Sequence, residues 1–400
     1  MKYIILVPDG LADKPIKELG GKTPMEAANT PNMDFLVQNG YSGLTKTIPD
    51  GLPPGSDIGN LALMGYDPKK NFSGRASLEA ANLGIKLQDD EVVFRCNLVT
   101  IKNKKMADYS AGHISSDEAK NLIEHLDHSL DWPDLRFYPG KSYRHLMVVK
   151  TNNVKTMLAV NTTPPHNIID QPIKKYLPNG PMSDLLCKIM ERSSKVLEKH
   201  QINKIRLEDG ENEANMVWLW GQGSRPNLPS FKEVYGLKGS VISAVDLVNG
   251  IGRLAGLNVI DVPGANGYYD TNYKGKAQYA LKSLNKNDFV YVHVEATDEA
   301  GHNGDWKAKT ECCEHFDKHV VGTILKAFGN KPKGVRILVC PDHPTPVALR
   351  AHDRSPVPFA MWGEGIKSNN LKNYSEKVAA KEGLKFKSGQ EMVQFFLRSK

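Results

Sequence analysis

The sequence lacks the features of several large protein classes. Its 400 residues contain no apolar run approaching the roughly 18 residues that a membrane-spanning helix needs. The apolar start, Met1–Val7, stops at Pro8 and is too short for the core of a signal peptide. Its five cysteines form no Cys-x-x-Cys pair, so neither a disulfide framework nor a zinc ribbon is expected. These absences predict a cytoplasmic globular protein with no membrane partner.

Positive charge is in slight excess but is not concentrated. There are 52 Lys and Arg against 45 Asp and Glu, which gives a formal net charge of +7. The lysines are scattered and form no dense basic block, so no nucleic-acid partner is expected. A mild positive field does suit a small anionic substrate. At roughly 100–200 residues per domain, the length predicts two or three domains.

Short β-branched runs alternate with helical patterns along the chain. The apolar runs are Tyr3–Val7, Val217–Trp220, Asn258–Val262, Phe289–Val294 and Val335–Val339. Helical periodicity is clear at Ser116–Leu126, Met182–His200, Lys276–Leu284 and Lys307–Phe328. This alternation predicts an α/β fold with a buried, mostly parallel sheet between helices. The middle of the chain, from about Phe72 to Phe231, is richer in turns and suggests a second domain inserted into the first.

Carboxylates follow three of the apolar runs. The acids are Asp9 after Tyr3–Val7, Asp298 in the segment Glu295-Ala296-Thr297-Asp298 after Phe289–Val294, and Asp342 after Val335–Val339. The carboxyl ends of parallel strands lie along one edge of a sheet, where ligands bind. Acids that converge there repel one another unless a cation neutralises them. The sequence therefore predicts a metal site at this edge.

Three histidines strengthen this prediction. His302 follows Asp298 by four residues, His343 adjoins Asp342, and His352 lies nine residues further on. Mixed Asp and His ligands suit Mn²⁺, Zn²⁺ or Co²⁺ better than Ca²⁺. Each residue alone is more simply interpreted as a helix cap or a turn, but their joint position at strand ends favours a metal site.

Ser56 stands where a helix would begin. Gly55 permits a sharp turn before it, and an apolar helical stretch follows. The serine is either a plain helix cap or a nucleophile activated by metal coordination. No Gly-x-Ser-x-Gly motif surrounds it, which disfavours a Ser-His-Asp hydrolase. A P-loop is excluded because position 16 is Ile, and a dinucleotide fingerprint because position 226 is Pro.

A set of motifs along the whole chain resembles the cofactor-independent phosphoglycerate mutases of the alkaline phosphatase superfamily, in their shorter archaeal-type branch. Besides the acids and histidines above, the motifs are Gly20-Gly21-Lys22-Thr23-Pro24, Thr30-Pro31-Asn32-Met33-Asp34, Pro54-Gly55-Ser56-Asp57, Gly65-Tyr66-Asp67-Pro68, Gly74-Arg75-Ala76-Ser77-Leu78-Glu79-Ala80, Tyr143-Arg144-His145 and Gly267-Tyr268-Tyr269-Asp270-Thr271. The set is specific although each motif alone is not.

The resemblance implies an isomerase that interconverts 3-phosphoglycerate and 2-phosphoglycerate in glycolysis and gluconeogenesis. It implies a phosphoserine at Ser56 and no requirement for 2,3-bisphosphoglycerate. It also implies two divalent ions, with Mn²⁺ first and Mg²⁺, Co²⁺ or Zn²⁺ as alternatives. The implied ligands are Asp298, His302 and His352 for the first ion, and Asp9, Ser56, Asp342 and His343 for the second.

The resemblance further divides the chain into a metal-binding catalytic domain, 1–66 with 233–400, and an inserted α+β substrate-binding lid, 67–232. It implies that His113 contacts substrate and transfers a proton, and that Arg144 and Arg225 bind carboxylate or phosphate. Lys276 is the expected lysine near the phosphate, with Lys238 as the alternative.

Three other functions use the same residues. A metal-dependent phosphatase or phosphodiesterase needs the metals and Ser56 but not the lid arginines. Another phosphomutase would differ in its substrate, whereas a phosphotransferase resembling the homoserine kinases proposed within this branch would need a bound nucleotide, for which the sequence shows no motif. A non-catalytic metal-binding protein would be expected to lack a ligand, and all seven are present. The sequence leaves monomer and homo-oligomer open.

Overall fold

The computed structural model describes residues 1–329 and 332–398. The strands, in chain order, are β1 (Lys2–Pro8), β2 (Tyr41–Thr45), β3 (Glu91–Lys102), β4 (Lys105–Asp108), β5 (Leu135–Lys141), β6 (Arg144–Lys150), β7 (Met216–Ser224), β8 (Gly239–Ile242), β9 (Asn258–Val259), β10 (Phe289–Val294), β11 (Val335–Val339), β12 (Val357–Gly363) and β13 (Leu384–Phe386). The α-helices are α1 (Pro24–Ala27), α2 (Pro31–Asn39), α3 (Ser56–Leu63), α4 (Pro68–Asn71), α5 (Arg75–Asn82), α6 (Ser116–Ser129), α7 (Val154–Leu158), α8 (Ser183–Leu197), α9 (Gln201–Glu208), α10 (Phe231–Tyr235), α11 (Asp246–Leu254), α12 (Tyr273–Ser283), α13 (Ala296–Asn303), α14 (Trp306–His315), α15 (Gly322–Phe328), α16 (Glu376–Glu382) and α17 (Gly389–Arg398).

The chain forms two compact units. Unit 1 consists of Met1–Phe72 with Asn227–Lys400, and unit 2 consists of Ser73–Pro226. Each has its own buried apolar core.

An eight-stranded sheet organises unit 1. Its strand order is β13-β2-β12-β11-β1-β10-β8-β9. Five neighbouring strands run parallel to one another, in the order β11, β1, β10, β8 and β9. Strand β12 runs antiparallel to both of its neighbours, β11 and β2. This architecture confirms the α/β class and the mostly parallel sheet.

The three central strands are buried along almost their whole length. Every residue of β10 and β11 is buried, and so are the last five residues of β1. Continuous apolar runs of this kind are typical of parallel strands that are covered on both faces. The register pairs Pro8 with Val294 and Leu6 with Val339. The residues that follow these three strands therefore lie at one edge of the sheet.

Unit 2 contains an antiparallel sheet. The long strand β3 pairs with β6 and β7 and, near its end, with β4, while β5 pairs with β6. Helix α6 packs against β5 and α8 against β7. The assignment of Val217–Trp220 to the parallel sheet was wrong, because this run lies in β7. An apolar run shows that a strand is buried but does not show the direction of its partner.

Two other local predictions needed correction. Only Asn258–Val259 of the run Asn258–Val262 is a strand. The helix predicted over Lys307–Phe328 is interrupted by a π-helical segment, Phe316–Val321. No helix in the part of the chain that the structure describes is both long and apolar enough to cross a bilayer.

Candidate active site

Three segments at the carboxyl edge of the unit 1 sheet bring acidic and imidazole side chains together. Asp9 directly follows β1, Asp298 lies in the first turn of α13 after β10, and the pair Asp342-His343 follows β11. Asp9, Asp342 and His343 have no exposed surface, and Asp298 is also buried. The strand ends therefore converge as the sequence predicts.

Ser56 is the first residue of α3, and its hydroxyl group lies within this cluster. Its Oγ donates a hydrogen bond to Asp9 Oδ2 at 3.5 Å and lies 3.1 Å from His343 Nε2. The preceding Gly55 is extended, with φ of 171°, so the predicted sharp turn is not formed there. A Cβ atom at this position would lie 2.8 Å from Asp57 Oδ1, so the Asp57 carboxylate would have to move to accommodate one.

The first predicted ligand group is assembled around Asp298. Its Oδ2 lies 3.3 Å from His302 Nε2, and its Oδ1 lies 3.6 Å from His352 Nε2. The two imidazole Nε2 atoms are 2.9 Å apart. The carbonyl group of Arg350 lies 3.1 Å from His302 Nδ1, which leaves Nε2 facing the carboxylate. These contacts bring the three side chains of the predicted group together.

The second predicted group is centred on His343. Its Nε2 is 3.5 Å from both Asp9 Oδ1 and Asp342 Oδ2. One ligand atom from each of these three residues lies within 4.8 Å of the others, and the same holds for Asp298, His343 and His352. The imidazole rings of His343 and His352 are 4.1 Å apart, so the two groups are adjacent.

Hydrogen bonds from Gly10 and Asn60 hold the Asp342 carboxylate in place. Its Oδ1 accepts from the Gly10 N–H at 3.2 Å, and its Oδ2 accepts from Asn60 Nδ2 at 2.7 Å. Asn60 also donates to the Ser56 carbonyl group and accepts from the buried Tyr291 hydroxyl group. This network fixes the serine-bearing helix relative to the carboxylate, and its members have no distinctive sequence pattern.

The electrostatics of the cluster favour binding of a cation. Burial raises the pKa of Asp9 well above its usual range, and the carboxylates of Asp342, Asp298 and Glu295 raise it further. Asp9 Oδ1 is buried and has no hydrogen-bond partner among the described residues. The Asp298 carboxylate raises the pKa of His302 to about 9, so a cation must displace a proton there. Carboxylate oxygens and imidazole nitrogens in this arrangement fit divalent metal ions.

Two residues of the cluster were missed as ligands or supports. Glu295 lies with Asp9 and Asp298 in a third group of convergent carboxylates, and its pKa is raised to about 8 by burial and by Asp298. It directly follows β10, so the strand-end rule could have selected it. His293 Nε2 lies 2.9 Å from Asp9 Oδ2, but a histidine inside a buried strand has no pattern that separates it from the core.

Lys276 lies inside unit 1 with no exposed surface. Its ammonium group donates to the His293 carbonyl group at 2.8 Å. Burial lowers its pKa to about 8, and the Glu295 carboxylate opposes that shift. The structure therefore places Lys276 beside the cluster, and its contact with substrate stays a prediction.

The predicted substrate residues His113, Arg144 and Arg225 all lie in unit 2 and are exposed. His113 and Arg144 flank Tyr143, with the imidazole ring centre 6.2 Å and the guanidinium carbon 5.6 Å from the centre of the tyrosine ring. Arg225 instead pairs with Asp89 at 2.9 Å. His113 and Arg144 thus lie close to the same tyrosine ring, whereas the Arg225 guanidinium group forms an ion pair with Asp89.

A row of aromatic and cationic side chains extends from Tyr143. Its members, in order of contact, are Arg144 and His113, Tyr143, Tyr109, His166, Trp220 and Arg95. We call this set the cationic row. Arg95 lies 4.0 Å from the Trp220 ring centre and pairs with Glu79 at 3.0 Å. The charge of the buried Arg95 is thus matched by Glu79, whereas Arg144, at the other end of the cationic row, is exposed and suits an anionic ligand.

Comparison with known proteins shows the family of this chain. Residues 37–203 match the family model described as 2,3-bisphosphoglycerate-independent phosphoglycerate mutase. A protein with that name from Methanosarcina barkeri is 49% identical over 403 residues, covering 100% of both chains. A probable one from Geobacter sulfurreducens is 46% identical over 402 residues, covering 99% of this chain and 100% of its own.

Solved structures agree as well. A Pyrococcus horikoshii protein is 32% identical with a TM-score of 0.84, covering 99% of this chain and 96% of its own. A cofactor-independent phosphoglycerate mutase from Thermoplasma acidophilum is 25% identical with a TM-score of 0.68, covering 100% of this chain and 99% of its own.

The fold and the cluster define an α/β enzyme whose site is suited to divalent metal ions. Within that class, the chain belongs to the 2,3-bisphosphoglycerate-independent phosphoglycerate mutase family. Members of this family are isomerases that transfer a phosphoryl group within their substrate.

Proposed function

We propose that this protein interconverts 3-phosphoglycerate and 2-phosphoglycerate through a phosphoserine at Ser56. The observation that carries the proposal is the position of the Ser56 hydroxyl group, 3.1 Å from His343 Nε2 and 3.5 Å from Asp9 Oδ2. A plain helix cap would bond its own helix, but Ser56 is the first helical residue and its oxygen faces the acidic cluster. This location suits a nucleophile.

The metal assignment forms part of the same proposal. Asp298, His302 and His352 would hold one divalent ion, and Asp9, Ser56, Asp342 and His343 the other, with Mn²⁺ as the first choice. When bound, the ions supply positive charge for the serine oxygen and the phosphoryl oxygens. The neutral imidazole is the form that binds metal, and burial favours it at His343 by lowering the pKa of that group.

The protein's own residues prepare the serine for attack. Ser56 lies at the N-terminus of α3, where the helix dipole favours negative charge on its oxygen. The carboxamide of Asn60 holds the Ser56 carbonyl group and the Asp342 carboxylate on the same side. The hydroxyl group is therefore held in place before substrate arrives, which reduces the ordering that the reaction requires.

The reaction is a pair of displacements at phosphorus. In the first, Ser56 Oγ gives up its proton and bonds to phosphorus while the bond from phosphorus to O3 of the substrate breaks, and O3 gains a proton as glycerate forms. In the second, O2 of glycerate loses its proton and bonds to phosphorus while the bond from phosphorus to Ser56 Oγ breaks, and Oγ regains a proton. We assign both proton transfers at the glycerate oxygens to His113.

Unit 2 would serve as the substrate-binding lid. Arg144 would bind the carboxylate or phosphate of the substrate, and Arg225 of unit 2 and Lys276 of unit 1 would add further contacts. A lid that excludes water keeps the phosphoserine from hydrolysis and retains glycerate. A cytoplasmic location remains a prediction.

Arg144 provides a direct test of the substrate assignment. Arg144→Met should raise KM for 3-phosphoglycerate roughly tenfold or more, because a charge-assisted hydrogen bond to the substrate is lost. It should also raise the release of inorganic phosphate relative to 2-phosphoglycerate, since glycerate is held less well. Both quantities are measured in an enolase-coupled assay combined with a phosphate assay.

Arg192→Met is the matched control for this experiment. Arg192 is also exposed in unit 2 and lies over an aromatic ring, 5.0 Å from the centre of Trp132, but is outside the cationic row. It should leave KM and phosphate release unchanged. An Arg144→Met protein with the wild-type KM would contradict the assignment, and a wild type that releases phosphate as its main product would favour a phosphatase.

A further inference from the structure

Lys309 is a fully buried lysine that the proposed mechanism does not use. It lies in α14, the helix after the one that holds Asp298 and His302, and has no exposed surface. Its ammonium group is 2.8 Å from Asp13 Oδ2 and donates to the Thr345 carbonyl group at 2.8 Å. A buried lysine with several fixed acceptors is uncommon and calls for a structural reason.

The partners of Lys309 belong to two different ligand-bearing loops. Asp13 lies in the loop that follows Asp9, and the Ala12 carbonyl group of the same loop is 3.5 Å from the ammonium group. Thr345 lies two residues after His343 in the loop that follows β11. Asp13 also accepts from the Val347 N–H at 3.1 Å, so the two loops are joined directly as well as through the lysine.

Thr345 transmits this connection to the proposed ligands. Its hydroxyl group donates to Asp298 Oδ1 and lies 3.2 Å from His343 Nδ1. Its carbonyl group is the one that Lys309 holds. The position of Thr345 therefore determines which way the Asp298 carboxylate and the His343 imidazole face.

The other side of Asp13 is also held. Its N–H donates to Glu376 Oε1 at 3.0 Å, and Thr23 Oγ1 donates to Glu376 Oε2 at 2.8 Å. Asp13 thus has little freedom to move. Because Lys309 is paired with Asp13, its hydrogen bond to the Thr345 carbonyl group fixes the position of the Thr345 loop. Contacts of this kind orient metal ligands without touching the metal.

We infer that the buried Lys309–Asp13 ion pair positions Asp298 and His343 for metal binding by joining the Asp9 loop, the Asp342-His343 loop and α14. Lys309 is a positioning residue rather than a catalytic one. The inference rests on the metal site of the proposed function. It predicts that loss of the pair weakens metal binding while leaving every ligand in the chain.

The test is the double variant Lys309→Met with Asp13→Asn, which removes both charges and leaves neither buried alone. The Asn oxygen can still accept from the Val347 N–H. Isothermal titration of metal-stripped protein with Mn²⁺ should show affinity reduced roughly 10–100-fold. Turnover should recover toward the wild-type rate at saturating Mn²⁺, because the ligands themselves are intact; a general loss of structure would not be restored by metal.

The matched control is Arg206→Met with Glu118→Gln. This pair also joins a nearly buried cation to a carboxylate, at 3.1 Å, but lies in unit 2. It should lower thermal stability without changing Mn²⁺ affinity. If the Lys309 double variant does not fold, Asp13→Asn alone keeps the bonds from Lys309 to the two carbonyl groups, and it should show a smaller loss of affinity in the same direction.

The outcomes separate this inference from the proposed function. Wild-type Mn²⁺ affinity in the folded double variant, or in Asp13→Asn if only that variant folds, overturns the positioning role and leaves the proposed function standing. Failure of the wild type itself to bind Mn²⁺ overturns the metal site and this inference with it.

Discussion

Ser56→Ala will lower the interconversion of 3-phosphoglycerate and 2-phosphoglycerate by roughly 10⁴-fold or more, as expected when a nucleophile is removed. The reason is geometric, since Ser56 Oγ is the hydroxyl group that faces Asp9 and His343 at the carboxyl edge of the sheet. The variant should fold normally, because Ser56 makes no side-chain cap to its own helix. The enolase-coupled rate and circular dichroism measure the two effects.

Ser388→Ala is the matched control for this variant. Ser388 lies just before α17 in unit 1, and its Oγ accepts from the Glu391 N–H as an ordinary cap does. Its loss should cost about 1 kcal/mol of stability and leave turnover unchanged. A Ser56→Ala protein that keeps turnover within tenfold of wild type would show that the phosphoryl group never resides on this serine.

Asp9→Asn should make the metal-free protein more stable than wild type and the metal-bound protein less stable than wild type. Burial and three nearby carboxylates raise the pKa of Asp9, so the folded protein retains a proton that the unfolded chain releases. The free energy of unfolding of metal-free protein therefore falls as pH rises above the ordinary pKa of an aspartate. Asn stays neutral, so the metal-free variant should be more stable than metal-free wild type at pH 8.

With Mn²⁺ bound, wild-type protein should be more stable than Asp9→Asn. A ligand at a hundred times its dissociation constant stabilises a protein by about 2.7 kcal/mol, and wild-type protein should gain such stability from Mn²⁺. Asp9→Asn lacks a ligand charge and should gain much less, with its mutase rate reduced to background. Thermal melts at pH 8 in chelator and in Mn²⁺ measure both effects.

Asp261→Asn is the comparison for these melts. Asp261 follows β9 of the same sheet but is exposed, so its substitution should change neither melt. The account is contradicted if Asp9→Asn is less stable than wild type in chelator, or if Mn²⁺ stabilises it as much as it stabilises wild type.

The sequence predicted the acidic residues of the site better than it predicted the sheet partners of some strands or the residues that support the site. Strand-end logic found Asp9, Asp298 and Asp342 because parallel strands must place their carboxyl ends together, and β1, β10 and β11 are buried apolar runs. The same logic applied to Val217–Trp220 failed, because that run is an equally apolar strand with antiparallel partners. Hydrophobicity indicates that a strand is buried. Whether the strand runs parallel or antiparallel to its partners depends on pairing with segments that are distant in sequence.

The supporting residues were beyond prediction for a related reason. Lys309 and Asp13 are 296 positions apart, and Asn60 and Asp342 are 282 positions apart. Each pair consists of ordinary residue types that only the folded sheet brings together. Glu295 is different, since it directly follows a buried strand and could have been selected by the rule that found its neighbours.

The central claim is tested most directly by assaying metal-stripped protein with 3-phosphoglycerate, coupled through enolase, in the absence of 2,3-bisphosphoglycerate. We expect no activity in chelator and full activity on addition of Mn²⁺ alone, with little release of inorganic phosphate. Activity that survives chelation, or that requires 2,3-bisphosphoglycerate, would contradict the account.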